Sequence, residues 1–211
     1  MPVQAPLGLI LAGGLSRRMG GGDKSLRALA GRPVLAHIVA RLGAQVGALI
    51  LSANGDPARF ASFDLPILAD DVPDHPGPLA GILAGLDYAA DHGHQWLVSV
   101  PADAPFLPLD LVIRLQQARR EARAPLAVAA SADRIHPVVA LWPVRLRDRI
   151  RAALAAGQRR VTALAADAAI ATWSDTPIDP FLNINTQADL DAAEALIADG
   201  RIPPLRPLVE S

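Results

Sequence analysis

The 211-residue chain has no cysteine. Disulfides, thiolate metal centres and thiol nucleophiles are therefore excluded. It also lacks an excess of positive charge: 20 Lys and Arg stand against 21 Asp and Glu, a formal net charge of −1. General nucleic-acid binders are usually basic overall, so no nucleic-acid partner is expected. No apolar run reaches the roughly 18–20 residues that a membrane span requires, so none is expected to meet a bilayer. The chain does not open with a charged stretch, an apolar segment and a cleavage site. That points away from secretion and towards the cytoplasm. No internal repeat and no convincing linker divides the chain. What is present is ordinary for a globular protein, with 51% hydrophobic and 19% charged residues, enough for a sizeable core.

Short apolar runs alternate with helical patterns. Leu7–Ala12, Ala48–Ala53, Leu65–Ala69 and Trp96–Val100 read as strands, as does "PLAVAA" before Ser131. Between them, "PVLAHIVARLGAQV" places Leu35, Ile38, Val39 and Leu42 on one helical face. "PLAGILAGLDYAADHG" reads as a helix ending at Gly93, and "PLDLVIRLQQARREAR" as another. Wholly apolar strands alternating with helices predict a mostly parallel sheet covered on both faces. The tail "RIPPLRPLVES" is proline-rich and reads as a loosely held end.

Ligands of open α/β sheets bind beyond the carboxyl ends of the strands. Four strand ends carry glycines, amides or acids here. The first leads into "LAGGLSRRMGGGDK" (Leu11–Lys24), the second into Ser52, Asn54 and Gly55. The third leads into Asp70, Asp71 and "PGPLAG", and the fourth into "PADAPFLP". The opening loop matches neither G-x-x-x-x-G-K-[ST] nor G-x-G-x-x-G. Its physics is similar: Gly13 and Gly14 permit close backbone approach and an anion-binding nest. Arg17, Arg18 and Lys24 add three cations in one short stretch. The pattern predicts a phosphate cradle, with Arg17 the most solvated of the three.

This loop resembles the signature of the GTP- and CTP-using nucleotidyltransferases, and within them the molybdenum cofactor guanylyltransferases. "SAN" (Ser52–Asn54), "DHPGPLAGI" (Asp74–Ile82), "PADAPFLP" (Pro101–Pro108) and "FLNINTQADL" (Phe181–Leu190) agree in order. "HPVVAL" (His136–Leu141) and "GQRRV" (Gly157–Val161) fall where the family has similar segments. The chain departs from the family at Ala102, usually a cysteine, and at Ser52, often an asparagine.

The resemblance implies a Rossmann-like, three-layer fold of the nucleotide-diphospho-sugar-transferase type. About residues 1–130 would hold the nucleotide and about 131–200 contact the acceptor. The implied reaction joins GMP from GTP to molybdopterin and releases pyrophosphate. Arg18, Lys24 and Asp103 are the implied catalytic residues, with Asp103 the ligand of Mg²⁺, a cation that often takes one or two carboxylates plus phosphate. Leu11, Ala12, Gly13, Gly14, Lys24, Ser52, Asn54, Asp70, Gly77, Gly81 and Asp103 are candidates for GTP contact.

Several of these have plain structural alternatives. Gly77 and Gly81 suit a turn and a helix–sheet contact equally well, and Asp70 suits either a guanine contact or a helix cap. Arg160, Asn183 and Asn185 are candidates for the acceptor, although arginines at helix ends are usually solvated and asparagines there often cap. His136 before Pro137 reads first as a turn residue. His37, His75, His92 and His94 show no metal-ligand spacing. Trp96, Trp142 and Trp173 read as core. Transient contact with molybdopterin-delivering proteins and with apo-molybdoenzymes or their chaperones is also implied. Two alternatives stay open: a molybdopterin cytidylyltransferase using CTP, and a GTP-binding module without transfer.

Overall fold

The computed structural model describes residues 5–12, 23–69 and 77–202. One seven-stranded sheet organises them. Its strands are β1 (Leu7–Leu11), β4 (Ala48–Ser52), β5 (Ile67–Leu68), β6 (Trp96–Pro101), β7 (Ala127–Ser131), β8 (Arg134–Pro143) and β9 (Ala169–Trp173). They lie in the order β5-β4-β1-β6-β8-β7-β9. Every pairing is parallel except those of β8, which runs antiparallel to both β6 and β7. The mostly parallel sheet is thus as the alternation predicts. The third strand is shorter than its apolar run, two residues instead of Leu65–Ala69. It is the sheet edge, and only Leu51 and Ser52 pair with it.

Helices cover both faces because the strands are apolar on both sides. On one face lie α1 (Val34–Gly43), α3 (Leu111–Glu121) and α6 (Gln187–Ala198), around a core that includes Ile10, Ile38, Leu115 and Ala193. On the other lie α2 (Pro78–Asp91), α4 (Arg147–Ala155) and α5 (Val161–Leu164), around Leu9, Leu86, Trp142 and Leu154. Trp142 and Trp173 are buried as expected, while Trp96 is half-buried beneath the Arg119 guanidinium. The helix expected over 33–46 closes at Gly43. A small hairpin, β2 (Ala28–Leu29) and β3 (Arg32–Pro33), turns through Ala30 and Gly31, both at positive φ. The Ala30 N–H donates to Glu194 on α6 at 3.4 Å.

Two features fix the sheet near the site. Helix α2 lies against β1 and β4 because it carries glycines where they touch. A Cβ on Gly81 would meet Leu11 Cδ2 at 2.6 Å and Ser52 Oγ at 2.7 Å, and one on Gly85 would meet Leu9 Cδ2 at 2.7 Å. Inside the sheet, the Trp142 indole N–H donates to Ser99 Oγ at 2.9 Å. That hydroxyl donates in turn to the Val138 carbonyl at 2.6 Å. Both side chains are fully buried and satisfied, which locks β6 to β8.

Candidate active site

Because β1, β4, β5 and β6 are parallel, their carboxyl ends share one edge of the sheet, and the reversed β8 begins at that same edge. Leu11 pairs with Ser52 on one side and Pro101 on the other. The Ala12 N–H donates to the Ser52 carbonyl at 2.8 Å, and the Ala102 N–H to the Leu11 carbonyl at 3.0 Å. Gly13, Gly14, Arg17, Arg18, Asp70 and Asp71 lie outside the described residues.

Lys24 opens a single 3₁₀ turn, Lys24–Leu26. Asp23 caps it, accepting from the Ser25 N–H at 3.2 Å and the Ser25 hydroxyl at 2.8 Å. Arg59 holds the cap from outside. Its Nε lies 3.5 Å from Asp23 Oδ2, and its Nη2 donates to the Asn54 carbonyl at 2.6 Å. Thus the end of β4 and the turn carrying Lys24 are tied together. Across the edge, Lys24 Nζ donates to Asn185 Oδ1 at 3.3 Å.

Asp103 follows β6, and the Ile184 N–H donates to its carbonyl at 2.8 Å. Two residues 81 positions apart are thereby joined, and Asn183 and Asn185 are brought to the same edge. Asp103 Oδ1 is buried and has no hydrogen-bond partner. Burial raises the pKa of this carboxyl above the ordinary carboxylate value, opposed by its own backbone N–H and by the Lys24 charge. A buried, unpartnered carboxylate oxygen is costly. A hard cation bridging to phosphate would satisfy it, and such cations need only one or two protein carboxylates. Among the described residues no group of three His, Asp or Glu forms a metal cluster.

The remaining candidates separate. Ser52 is 3% exposed and lies under α2, whereas Asn54 is exposed. Gly81 is inside α2, and its observed role is the helix–sheet contact rather than an open backbone face. Gly77 has φ 172°, extended backbone that any residue adopts. Arg160 begins α5 with its N–H on Gln158 Oε1 at 2.8 Å, and α5 packs into the core opposite that of Phe181 and Ile184. Neither asparagine caps α6. Thr186 does, in a capping box with Asp189, which also accepts the Asn185 N–H at 2.9 Å. The Asn185 side chain is left for Lys24. Those bonds hold the Asp189 carboxyl below the ordinary range.

Between the start of β8 and the segment 178–185 lies a cavity of about 280 Å³, lined by Pro101, His136, Val138, Phe181, Asn183 and Asn185 among others. His136 is no turn residue. It sits within β8 opposite Ala129, beyond a bulge in β7, and its Nε2 is 2.7 Å from Ser131 Oγ. Asp23, Arg59, Ser131 and Phe181 escaped the sequence reading. Only Asp23, between the glycines and Lys24, carried a local signal.

Residues 8–171 match the model of the MobA-like NTP transferase domain. The chain belongs to the MobA-like NTP transferases. The molybdenum cofactor guanylyltransferase of Rhodopseudomonas palustris (strain HaA2) is 56% identical over 197 residues, covering 91% of this chain and 92% of that one. That of Bradyrhizobium sp. (strain ORS 278) is 55% identical over 196 residues, covering 90% and 92%. The crystal structure of molybdopterin-guanine dinucleotide biosynthesis protein A from Archaeoglobus fulgidus superposes with a TM-score of 0.70 at 20% identity. It covers 92% of this chain and 99% of that one. The sheet of this MobA-like chain is therefore the nucleotidyltransferase fold that the opening loop implies. Among the described residues, no helix is long and apolar enough to cross a membrane.

Proposed function

We propose that this protein transfers GMP from GTP to molybdopterin, forming the guanine dinucleotide and releasing pyrophosphate. The meeting of Lys24, Asn185 and the bare Asp103 oxygen at the carboxyl edge carries the reading. The names of its relatives supply guanine and molybdopterin. The reaction is an in-line displacement at the α-phosphorus. A phosphate oxygen of the acceptor forms the new P–O bond as the bond to pyrophosphate breaks. The attacking oxygen is already an anion, so no general base is required. Catalysis rests on positioning and on stabilising charge.

Lys24 neutralises the triphosphate and the departing pyrophosphate, aided by Arg18. Asp103 is the carboxylate that would hold Mg²⁺. When bound, that ion supplies charge neutralisation at phosphate oxygens. Asn185 orients the Lys24 ammonium, and Asn183 faces the acceptor side. The same division assigns roughly residues 1–130 to the nucleotide and 131–200 to the acceptor. Protein partners that deliver molybdopterin or receive the product would meet this edge, in the cytoplasm.

The test is direct. Purified protein with GTP, Mg²⁺ and molybdopterin should release pyrophosphate and form the guanine dinucleotide. Pyrophosphate release with CTP in place of GTP, or none without added acceptor and none with it, would refute the proposal.

A further inference from the structure

We infer that His136 reads the heterocycle of the acceptor through a single neutral N–H, its ring held for that purpose by Ser131. The inference rests on the transfer to molybdopterin proposed above. It concerns a residue for which sequence suggested only a turn.

Ser131 is 1% exposed, and its Oγ lies 2.7 Å from His136 Nε2. A hydroxyl is both donor and acceptor, whereas a neutral imidazole has one nitrogen of each kind. Among the described residues the Ser131 hydroxyl has no other side-chain partner. If Nε2 carried the proton, the buried hydroxyl hydrogen would be orphaned, an arrangement folded proteins avoid. The satisfied arrangement has Ser131 donating to Nε2, which leaves the proton on Nδ1. No group among the described residues bonds Nδ1, and the ring lines the cavity. Burial also lowers the His136 pKa, against the nearby Asp179 carboxylate and with the Arg134 charge. The ring is thus neutral at neutral pH.

The ring is also seated. Phe181 packs on it at 4.8 Å between centroids and is itself held edge-on by Trp173 at 5.4 Å. The cavity beside it has flat apolar walls in Pro101, Val138 and Phe181, and amides in Asn183 and Asn185. Such walls suit a planar heterocycle whose ring nitrogen or carbonyl accepts from Nδ1–H. A phosphate would call for cations, and the cation lining this cavity, Arg134, is exposed at the end of β8. Asn185 borders the cavity and also accepts from Lys24, so a molecule seated here points one end at the phosphate-transfer site.

Two substitutions separate the ring nitrogens. His136→Asn places an amide N–H near the Nδ1 position. His136→Gln reaches the Nε2 position and leaves Nδ1 empty. KM for molybdopterin, KM for GTP and kcat are measured with the guanine dinucleotide as product. His136→Gln should raise the acceptor KM about 2–10-fold, the span of one net hydrogen bond, with the GTP KM unchanged. His136→Asn should restore most of the loss. Ser131→Ala, which frees the tautomer, should raise the acceptor KM by a smaller factor, and it carries the test if His136→Gln fails to fold. Equal effects of Asn and Gln, or a parallel rise in the GTP KM, would overturn the inference. So would a loss confined to kcat, which would assign His136 to the attacking phosphate. A wild-type protein that makes no dinucleotide would defeat the transfer itself and this inference with it. One that makes it while the variants behave alike defeats only the role of His136.

Discussion

Ser99 and Asp103 are buried polar groups on β6 and just past its end, yet the fold treats them oppositely. Ser99 Oγ accepts from Trp142 and donates to Val138, so no hydrogen-bonding capacity is left over. Asp103 Oδ1 is as inaccessible to solvent and has no partner. The first group is closed by the protein and serves stability. The second waits for something the protein does not itself contain. Burial alone therefore does not distinguish structural from functional polar residues; completeness of hydrogen bonding does.

Substitutions at the two positions should dissociate activity from stability. Asp103→Asn has the largest expected effect, a loss of transfer of about 100-fold or more, typical of removing a charged stabiliser of the transition state. Without metal the same variant should melt higher than wild type. The sign follows from the raised carboxyl. In the folded state it holds its proton to higher pH than in the unfolded state, so wild-type stability falls as pH rises from the ordinary carboxylate pKa through the raised one. Melting curves across that range should slope for the metal-free wild type and flatten for Asp103→Asn. A metal-free variant that melts lower than wild type throughout would make Asp103 a structural residue.

Lys24→Ala comes next. Its ammonium should be worth one charge-assisted hydrogen bond to phosphate, ~1.5–3 kcal/mol or about one to two decades in kcat/KM for GTP. Its melting temperature should stay close to wild type, since its 3.3 Å bond to Asn185 is exposed. Turnover within twofold of wild type at low GTP would remove Lys24 from the site. Ser99→Ala should do the reverse, orphaning the Trp142 N–H at a cost of about 1–3 kcal/mol, or roughly 2–4 °C per kcal/mol for a chain of this size. Activity per folded molecule should be unchanged; a selective loss of turnover would show that the β6–β8 lock reaches the site. The smallest effect is expected for Thr186→Ala, about 1 kcal/mol from the loss of the α6 cap. Thermal denaturation reads it, with no change in kcat.

The legible parts of this protein are those with local causes. β1, β4, β6 and α1–α3 follow from apolar runs, proline starts and glycine stops. The convergence of Lys24 and Asp103 follows from the strand-end rule once the sheet is parallel. The reversed β8 was not legible, because its apolar stretch carries no mark of direction. Nor was β9, whose alternation of buried Ala169, Ala171 and Trp173 with exposed Ile170 and Thr172 is muted by alanine. Gly81 was ambiguous for a physical reason: a glycine that admits a strand and one that admits a ligand look alike in sequence. The Ser131–His136 pair depends on a bulge between Val128 and Ala129, and the Asn185–Lys24 bond on a contact spanning 161 positions. Neither leaves a local trace.

The bond from the Ile184 N–H to the Asp103 carbonyl has a consequence for how such proteins diversify. It makes the two parts of the chain non-interchangeable modules. A chimera taking its last third from a relative with a different acceptor would import a new wall for the acceptor cavity. It would also replace the backbone that closes over Asp103 and the amide that steadies Lys24. Change of acceptor and retention of nucleotide chemistry are therefore coupled inheritances. They can be varied separately only if Ile184 and Asn185 travel unchanged between donors.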